Sequence, residues 1–168
     1  DWCVAYHLYP AILYNTAIWR HSGYNSAGPN AMFIDGANLH VLTDYIRDHF
    51  GAQHRVMLTE QGFCLYNGSE ECQAAALAIS YYAAKYDPLV DCFILNCAAD
   101  GDARFDFSIA GHLAARVYTM LDDGSDADRA EIEQLVQATA GRPLAQLVPL
   151  YGEEPSVPAA AACAAGAG

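Results

Sequence analysis

The sequence predicts an α/β fold built on a parallel β-sheet, and three observations lead there. Segments rich in β-branched and aromatic residues alternate with segments of helical periodicity, in the order strand, helix, strand, helix, strand, helix. Such alternation makes right-handed βαβ units. The third β-prone segment, VDCFILNC (90–97), is a nearly continuous apolar run, as expected of a strand covered on both faces. Each of the three strands also runs out into polar residues, and in parallel α/β folds ligands bind beyond the carboxyl ends of the strands.

The elements follow in order. WCVAYHLY (2–9) reads as the first strand, stopped by Pro10. Residues 11–36 form a long aromatic and polar connection with Gly23, Gly28 and Pro29; loops of this length in compact domains are commonly functional. Residues 38–50 read as a helix, with Leu39, Leu42 and Ile46 on one face and Gly51 at the capping position. The second strand is 55–59, followed by a turn-rich loop, 61–71. An Ala-rich helix spans 72–86, with Pro88 just past its end, and the third strand spans 90–97. The loop 98–107 carries Asp100, Asp102 and Asp106. A helix covers 109–121, and Ser125 or Asp126 caps a further helix to Ala140, closed by Gly141 and Pro143. The main unit is 1–150; the remainder, 151–168, is a low-complexity Pro/Ala/Gly tail with the composition of a disordered segment. Three parallel strands leave exposed edges, so the chain is expected to be part of a larger α/β fold or to pair with a second copy. An opening straight into an apolar strand at Asp1 adds to the expectation of a fragment.

Bulk composition narrows the function. Hydrophobic residues make up 54 % of the 168-residue chain, enough for a real core and too many for disorder through most of it. A net charge of −12 speaks against a nucleic-acid partner, which needs clustered Lys and Arg, and against an anionic membrane surface. No apolar run approaches the roughly 20 residues of a membrane span, and no secretory signal is visible. Six cysteines are too few for a disulfide scaffold in a chain of this size. Cys3, Cys92 and Cys97 read as small buried hydrophobes, whereas Cys64 and Cys72 flank a short polar loop that a bridge could close. Asn67-Gly68-Ser69 fits both a glycosylation triplet and a turn.

The chemistry concentrates at the strand ends. The first strand ends in His7-Leu8-Tyr9-Pro10, the second in Thr59-Glu60-Gln61, and the third in Asn96 with Asp100 and Asp102 beyond. Alternation puts Val56, Leu58 and Glu60 on one face, so the carboxylate continues an inward apolar row. A partly desolvated carboxylate there must be hydrogen-bonded or paired, which suits a nucleophile or an acid/base; it also suits a structural Glu bonded to His7 or Arg55.

The stretches HLYP, NLHVLTDYIRDHF, RVMLTEQGF and QAAALAISYYAAKYDPLVDCFIL, spanning about 2–122, resemble the C-terminal part of clan A glycoside hydrolases. They are most similar to an uncharacterised, mostly bacterial family of glycosidase-like (β/α)8 barrels. The resemblance implies that the chain is the C-terminal portion of a TIM (β/α)8 barrel, strands 6 to 8 with their helices, in a longer parent. It implies that Glu60, at the strand-7 position, is the nucleophile, and that His7 and Tyr9, at the strand-6 position, contact it or the sugar. Gln61, Asn96 and Asp100 are then candidate sugar-hydroxyl ligands. The implied partner is an oligo- or polysaccharide, and the family is compatible with a secreted or cell-surface location. A retaining glycosidase needs two carboxylates about 5–5.5 Å apart. The clan's acid/base ends strand 4, and no residue of this chain matches it, so the chain alone is expected to be inactive. The alternatives are a carbohydrate-binding barrel without catalysis and a self-contained α/β module that dimerises through its open edges. The clan's strand-8 Trp is also absent, Asn96-Cys97-Ala98-Ala99-Asp100 standing in that segment. Tyr9, Trp19, Tyr24, Phe63 or Tyr66 would supply an aromatic face instead, or would simply anchor loops.

No metal or cofactor is expected. The six histidines form no HExxH, there is no CxxC, and Asp100-Gly101-Asp102 lacks the later ligands of an EF-hand loop. His40, His49 and His112 are expected within helices as surface or packing residues. No Gly-rich phosphate loop follows a strand, and no G-x-S-x-G elbow is present.

Overall fold

A computed structural model describes residues 2–101 and 105–153. Asp1, Asp102 and the tail segment 155–168 lie outside the described residues. Three short strands, β1 (Val4–His7), β2 (Val56–Gln61) and β3 (Val90–Leu95), pair side by side in that order, all parallel. The expected α/β architecture with a parallel sheet is therefore present. β1 and β3 each keep one edge without a strand partner among the described residues.

Helix α1 (His40–Phe50) connects β1 to β2, and α2 (Glu70–Tyr86) connects β2 to β3. Gly51 ends α1 at φ 99°, its N–H bonded to the carbonyls of Ile46 and Arg47, a conformation only glycine adopts without strain. The Ser69 hydroxyl caps α2 by accepting from Cys72 N, and Glu70 and Glu71 fall in its first turn, where negative charge suits the helix dipole. α2 is the centre of the molecule. The run from Ala74 to Ile79 is fully buried, and its small side chains let neighbouring elements approach on nearly every side. Helix α3 (Leu113–Asp123) and helix α4 (Asp126–Ala140) pack on it, and a four-residue turn of helix, α5 (Leu144–Leu147), follows. The Ser125 cap of α4 is formed, its hydroxyl accepting from Asp128 N. No helix among the described residues is long and apolar enough to cross a membrane.

The sheet buries one face. Val56 and Leu58 are fully enclosed with α2 in the core, and Val4, Tyr6, Phe93 and Leu95 pack against the same cluster. Ala5, His7 and Ile94 point the other way and are exposed. The third strand is thus covered on one face rather than two, contrary to its continuous apolar run. The first strand is also shorter than its composition predicts: Trp2 and Cys3 are exposed rather than inside it. Cys92 and Cys97 are half-buried, and Cys72 carries a free thiol, so the bridge to Cys64 is not formed.

The long connection after β1 is organised by a carboxylate that the sequence did not single out. Asp35 is fully buried and accepts hydrogen bonds from Ala11 N, Ala37 N and the Asn25 amide. Its own N–H donates to the Asn38 side chain, whose amide donates in turn to the Ser26 and Phe33 carbonyls. The loop is held from within, as a buried segment with many polar groups must be. A 3₁₀ turn, Ile18–Arg20, lies in it and carries Trp19 into the core.

Candidate functional site

The carboxyl ends of the three strands bring four side chains together: His7 and Tyr9 after β1, Glu60 in β2, and Asn96 after β3. Glu60 Oε1 accepts from the Tyr9 hydroxyl at 2.5 Å and from Asn96 Nδ2 at 2.7 Å. The Asn96 amide also lies 2.6 Å from the Tyr9 oxygen, closing a three-membered ring of hydrogen bonds. His7 Nδ1 sits 3.4 Å from the other carboxylate oxygen, Oε2. The Glu60 side chain is 39 % exposed; Oε1 accepts both hydrogen bonds, and Oε2 faces the exposed His7. Arg55, the other partner considered for Glu60, pairs instead with Asp91 across the sheet at 2.6 Å.

A register irregularity creates this arrangement. Tyr6 aligns with Leu58 and His7 with Glu60; on the other side Leu58 aligns with Phe93 and Gln61 with Leu95. β2 therefore holds one more residue than either neighbour between Leu58 and Gln61. Such a bulge re-aims a side chain and is common beside functional sites. Its effect is that Gln61, not Glu60, continues the buried row of Val56 and Leu58. Glu60 turns to the side of His7. The expectation that Glu60 extends the apolar row is thereby corrected, because strict alternation holds only while the ladder is regular.

The backbone around the bulge is tightly tied. Leu8 N donates to Glu60 O, and Asn96 N donates to Gln61 O. At Gly62 a Cβ would lie 2.0 Å from the Asn96 carbonyl oxygen, so only glycine lets β2 pass this close to the end of β3. Tyr9 is half-buried, and its ring meets the edge of Phe107 at 5.9 Å. Burial, then the hydrogen bond to the Glu60 carboxylate, pushes the Tyr9 phenol up to about 12. Tyr9 is accordingly a proton donor to Glu60 at any physiological pH.

Four of the candidates chosen from sequence thus meet, and four do not join them. Gln61 is fully buried, with its side-chain amide donating to the Ile94 carbonyl between β2 and β3. Phe63 and Trp19 are core residues, 2 % and 8 % exposed. Asp100 is exposed in its loop and accepts from Phe107 N. Burial of the first three follows from the bulge and from the collapse of the long loop onto α2, neither of which a local pattern encodes. Conversely, Phe107 was not anticipated; an aromatic residue within the loop after the third strand was the available signal.

His112 also departs from expectation. It caps α3 rather than lying within a helix, and it sits between two carboxylates, Glu70 Oε1 and Asp106 Oδ2, each at 3.2 Å. The hydrogen bond to Glu70 foremost, then that to Asp106, raises its pKa. Asp106 is lowered first by the Ser108 hydroxyl, and Glu70 first by Leu113 N. This clamp ties the start of α2 to the loop after β3 and the start of α3.

Among the described residues no group of three or more His, Cys, Asp or Glu side chains is arranged to hold a metal ion. A groove of about 420 Å³ lies between the long loop and α1, lined by residues such as Ile34, Val41 and Tyr45, and includes none of the strand-end residues. Among the described residues, polar groups from all three strand ends converge at the ring around Glu60.

No curated protein matches the chain, and no solved structure does. Residues 1–126 match the model of a family of unknown function (DUF5722), and the chain belongs to that family.

Proposed function

We propose that this chain supplies the nucleophile side of a retaining glycoside hydrolase, as strands 6 to 8 of a (β/α)8 barrel. The observation that carries the reading is Glu60 at a strand's carboxyl end, with one oxygen fixed by Tyr9 and Asn96 and the other facing His7 in a half-open site. Two features support the barrel. The three strands are parallel and in sequential order, and an apolar groove of about 360 Å³ runs along the open edge of β3, lined by Phe93, Leu95 and Tyr118 among others, where a further unit would pack.

In this reading Glu60 Oε2 attacks the anomeric carbon. The bond to the leaving oxygen breaks with its electron pair, and that oxygen takes a proton from a second carboxylic acid. Water then hydrolyses the glycosyl ester, with the second carboxylate as base. His7 faces the attacking oxygen and contacts the sugar near the bond. In this reading the acid/base is the residue that ends strand 4 in the clan; no residue of this chain matches it, so it is assigned to the rest of the barrel, and the chain by itself is expected not to turn over glycosides. That same observation favours one alternative: a sugar-binding barrel that has lost catalysis.

The test is covalent. The protein from its complete reading frame is incubated with dinitrophenyl 2-deoxy-2-fluoroglycosides of gluco, galacto, manno and xylo configuration, whose leaving group departs without acid assistance. A mass adduct on the peptide containing Glu60, absent in Glu60→Gln, is expected. Absence of an adduct with all four overturns the hydrolase reading. Turnover of glycosides by the isolated chain overturns the assignment of the acid/base elsewhere.

A further inference from the structure

Beyond the Glu60 ring, the three loops that follow the three strands meet a second time. Tyr14 comes from the loop after β1, Tyr66 from the loop after β2, and Phe105 from the loop after β3. Tyr14 stacks face to face on Phe105 at 4.4 Å with 18° between the planes. Tyr66 meets both, at 5.3 Å from Phe105 and 6.1 Å from Tyr14. Rings that serve as loop anchors are buried, as Trp19 and Phe63 are here. Tyr14 and Tyr66 are instead 37 % and 54 % exposed, so the three-ring cluster presents aromatic surface to solvent.

The cluster is joined to the site by chain geometry. Phe105 is two residues from Phe107, whose ring touches Tyr9, so their Cα atoms lie within about 7 Å. Between them, the Asp106 carbonyl accepts from Leu65 N, pinning the loop after β3 to the loop that bears Tyr66. The rings therefore belong to loops on the same, carboxyl-end side of the sheet as Glu60.

We propose that Tyr14, Tyr66 and Phe105 form a platform that binds further units of a saccharide whose scissile end lies at Glu60. The proposal rests on the glycoside reading of that site and names its substrate as a chain longer than one sugar. The chemistry fits: the negative face of an aromatic ring attracts the polarised C–H groups of a pyranose face, while the tyrosine hydroxyls hydrogen-bond at the ring edge. Nucleic-acid bases also stack on such rings, but a protein of net charge −12 repels their phosphates.

Affinity electrophoresis of the full chain in gels containing hydroxyethylcellulose, xylan, laminarin, galactomannan or soluble starch reads the platform directly. At least one polysaccharide is expected to retard the chain. The double variant Tyr14→Ala/Tyr66→Ala should bind it about tenfold more weakly. The variant Tyr14→Phe/Tyr66→Phe, which keeps the rings, should retain most of the retardation, and unchanged melting curves exclude misfolding. Retardation equal in wild type and the Ala variant overturns the platform, even if the fluoroglycosides label Glu60. Labelling of Glu60 without retardation in any gel overturns it too, leaving a hydrolase of short glycosides. Retardation lost in the Ala variant without labelling of Glu60 sustains the platform and removes the hydrolase.

Discussion

The hydroxyl of Tyr9 donates to Glu60 Oε1 at 2.5 Å across the carboxyl ends of β1 and β2. This contact joins a residue just past one strand to the end of the next, and it depends on both ends being placed by the bulge in β2. The oxygen it holds also accepts from Asn96, so the carboxylate can rotate little. On the proposed reading, a carboxylate held in one orientation gains as a nucleophile from entropy already spent in folding.

Tyr9→Phe removes that donor. Because the hydrogen bond is charge-assisted but the site is half-open, about 1.5 kcal/mol of stability should be lost. The pH dependence has a definite sign. The folded phenol titrates at about 12, above its ordinary value near 10, so its contribution is complete below about pH 10 and disappears as pH rises through 12. Difference absorbance of the tyrosines should therefore show one fewer late-ionising phenol in Tyr9→Phe. An unchanged late phase would mean that Tyr9 is not held by the carboxylate.

Gly62→Ala should disturb the site without touching any of its side chains. The new methyl group meets the Asn96 backbone oxygen, which cannot rotate away as a flexible side chain would. β3 must shift at its end, and with it the Asn96 amide. An overpacking cost of about 1–3 kcal/mol is expected in urea denaturation. The His7 ring resonances should move in NMR spectra, and in the same way in Asn96→Ala. Wild-type stability together with unmoved His7 resonances would argue that β2 and β3 are looser here than the structure has them.

The His112 clamp should make stability depend on pH in a window of its own. His112 is raised, so it stabilises fully below about 6.5 and loses its contribution as pH climbs through its folded value. Glu70 and Asp106 are lowered, so theirs is present above about 4 and fades as pH falls through their folded values. The difference in urea midpoint between wild type and His112→Gln should thus be largest between about pH 4 and 6.5 and shrink as pH rises through the raised folded value of His112. A difference that stays flat from pH 5 to 9 would show that the clamp carries no charge.

Asp35→Ala should be the most damaging change in the long loop. It strips the acceptor from Ala11 N, Ala37 N and the Asn25 amide at once, inside the protein. Unpaired buried donors cost about 1–3 kcal/mol each, so a loss of at least about 3 kcal/mol is expected from chemical denaturation. Because Ala11 lies two residues beyond Tyr9, labelling of Glu60 should slow as well. A loss under about 1 kcal/mol would place the loop's stability elsewhere.

What the sequence by itself determined is the succession of elements and the chemistry at their ends. The alternation of strand and helix patterns is a local property, and so are the Gly51 and Ser125 caps. Parallel pairing follows from the helical crossovers, and it brings the residues after each strand to one side. That is why His7, Tyr9, Glu60 and Asn96 were legible before any coordinates. What only the tertiary structure decided is where each of these side chains points. A single additional residue in β2 turns Glu60 toward His7 and buries Gln61 in its place, and a period-two pattern has no means of announcing it. The same holds for the aromatics. Trp19 and Phe63 are in the core, whereas Tyr14, Tyr66 and the half-buried Phe105 stack on one another towards the surface, and nothing in the local pattern separates the two groups. Their fates are set by contacts between loops far apart in sequence, and those contacts exist only once the sheet has fixed where the loops begin.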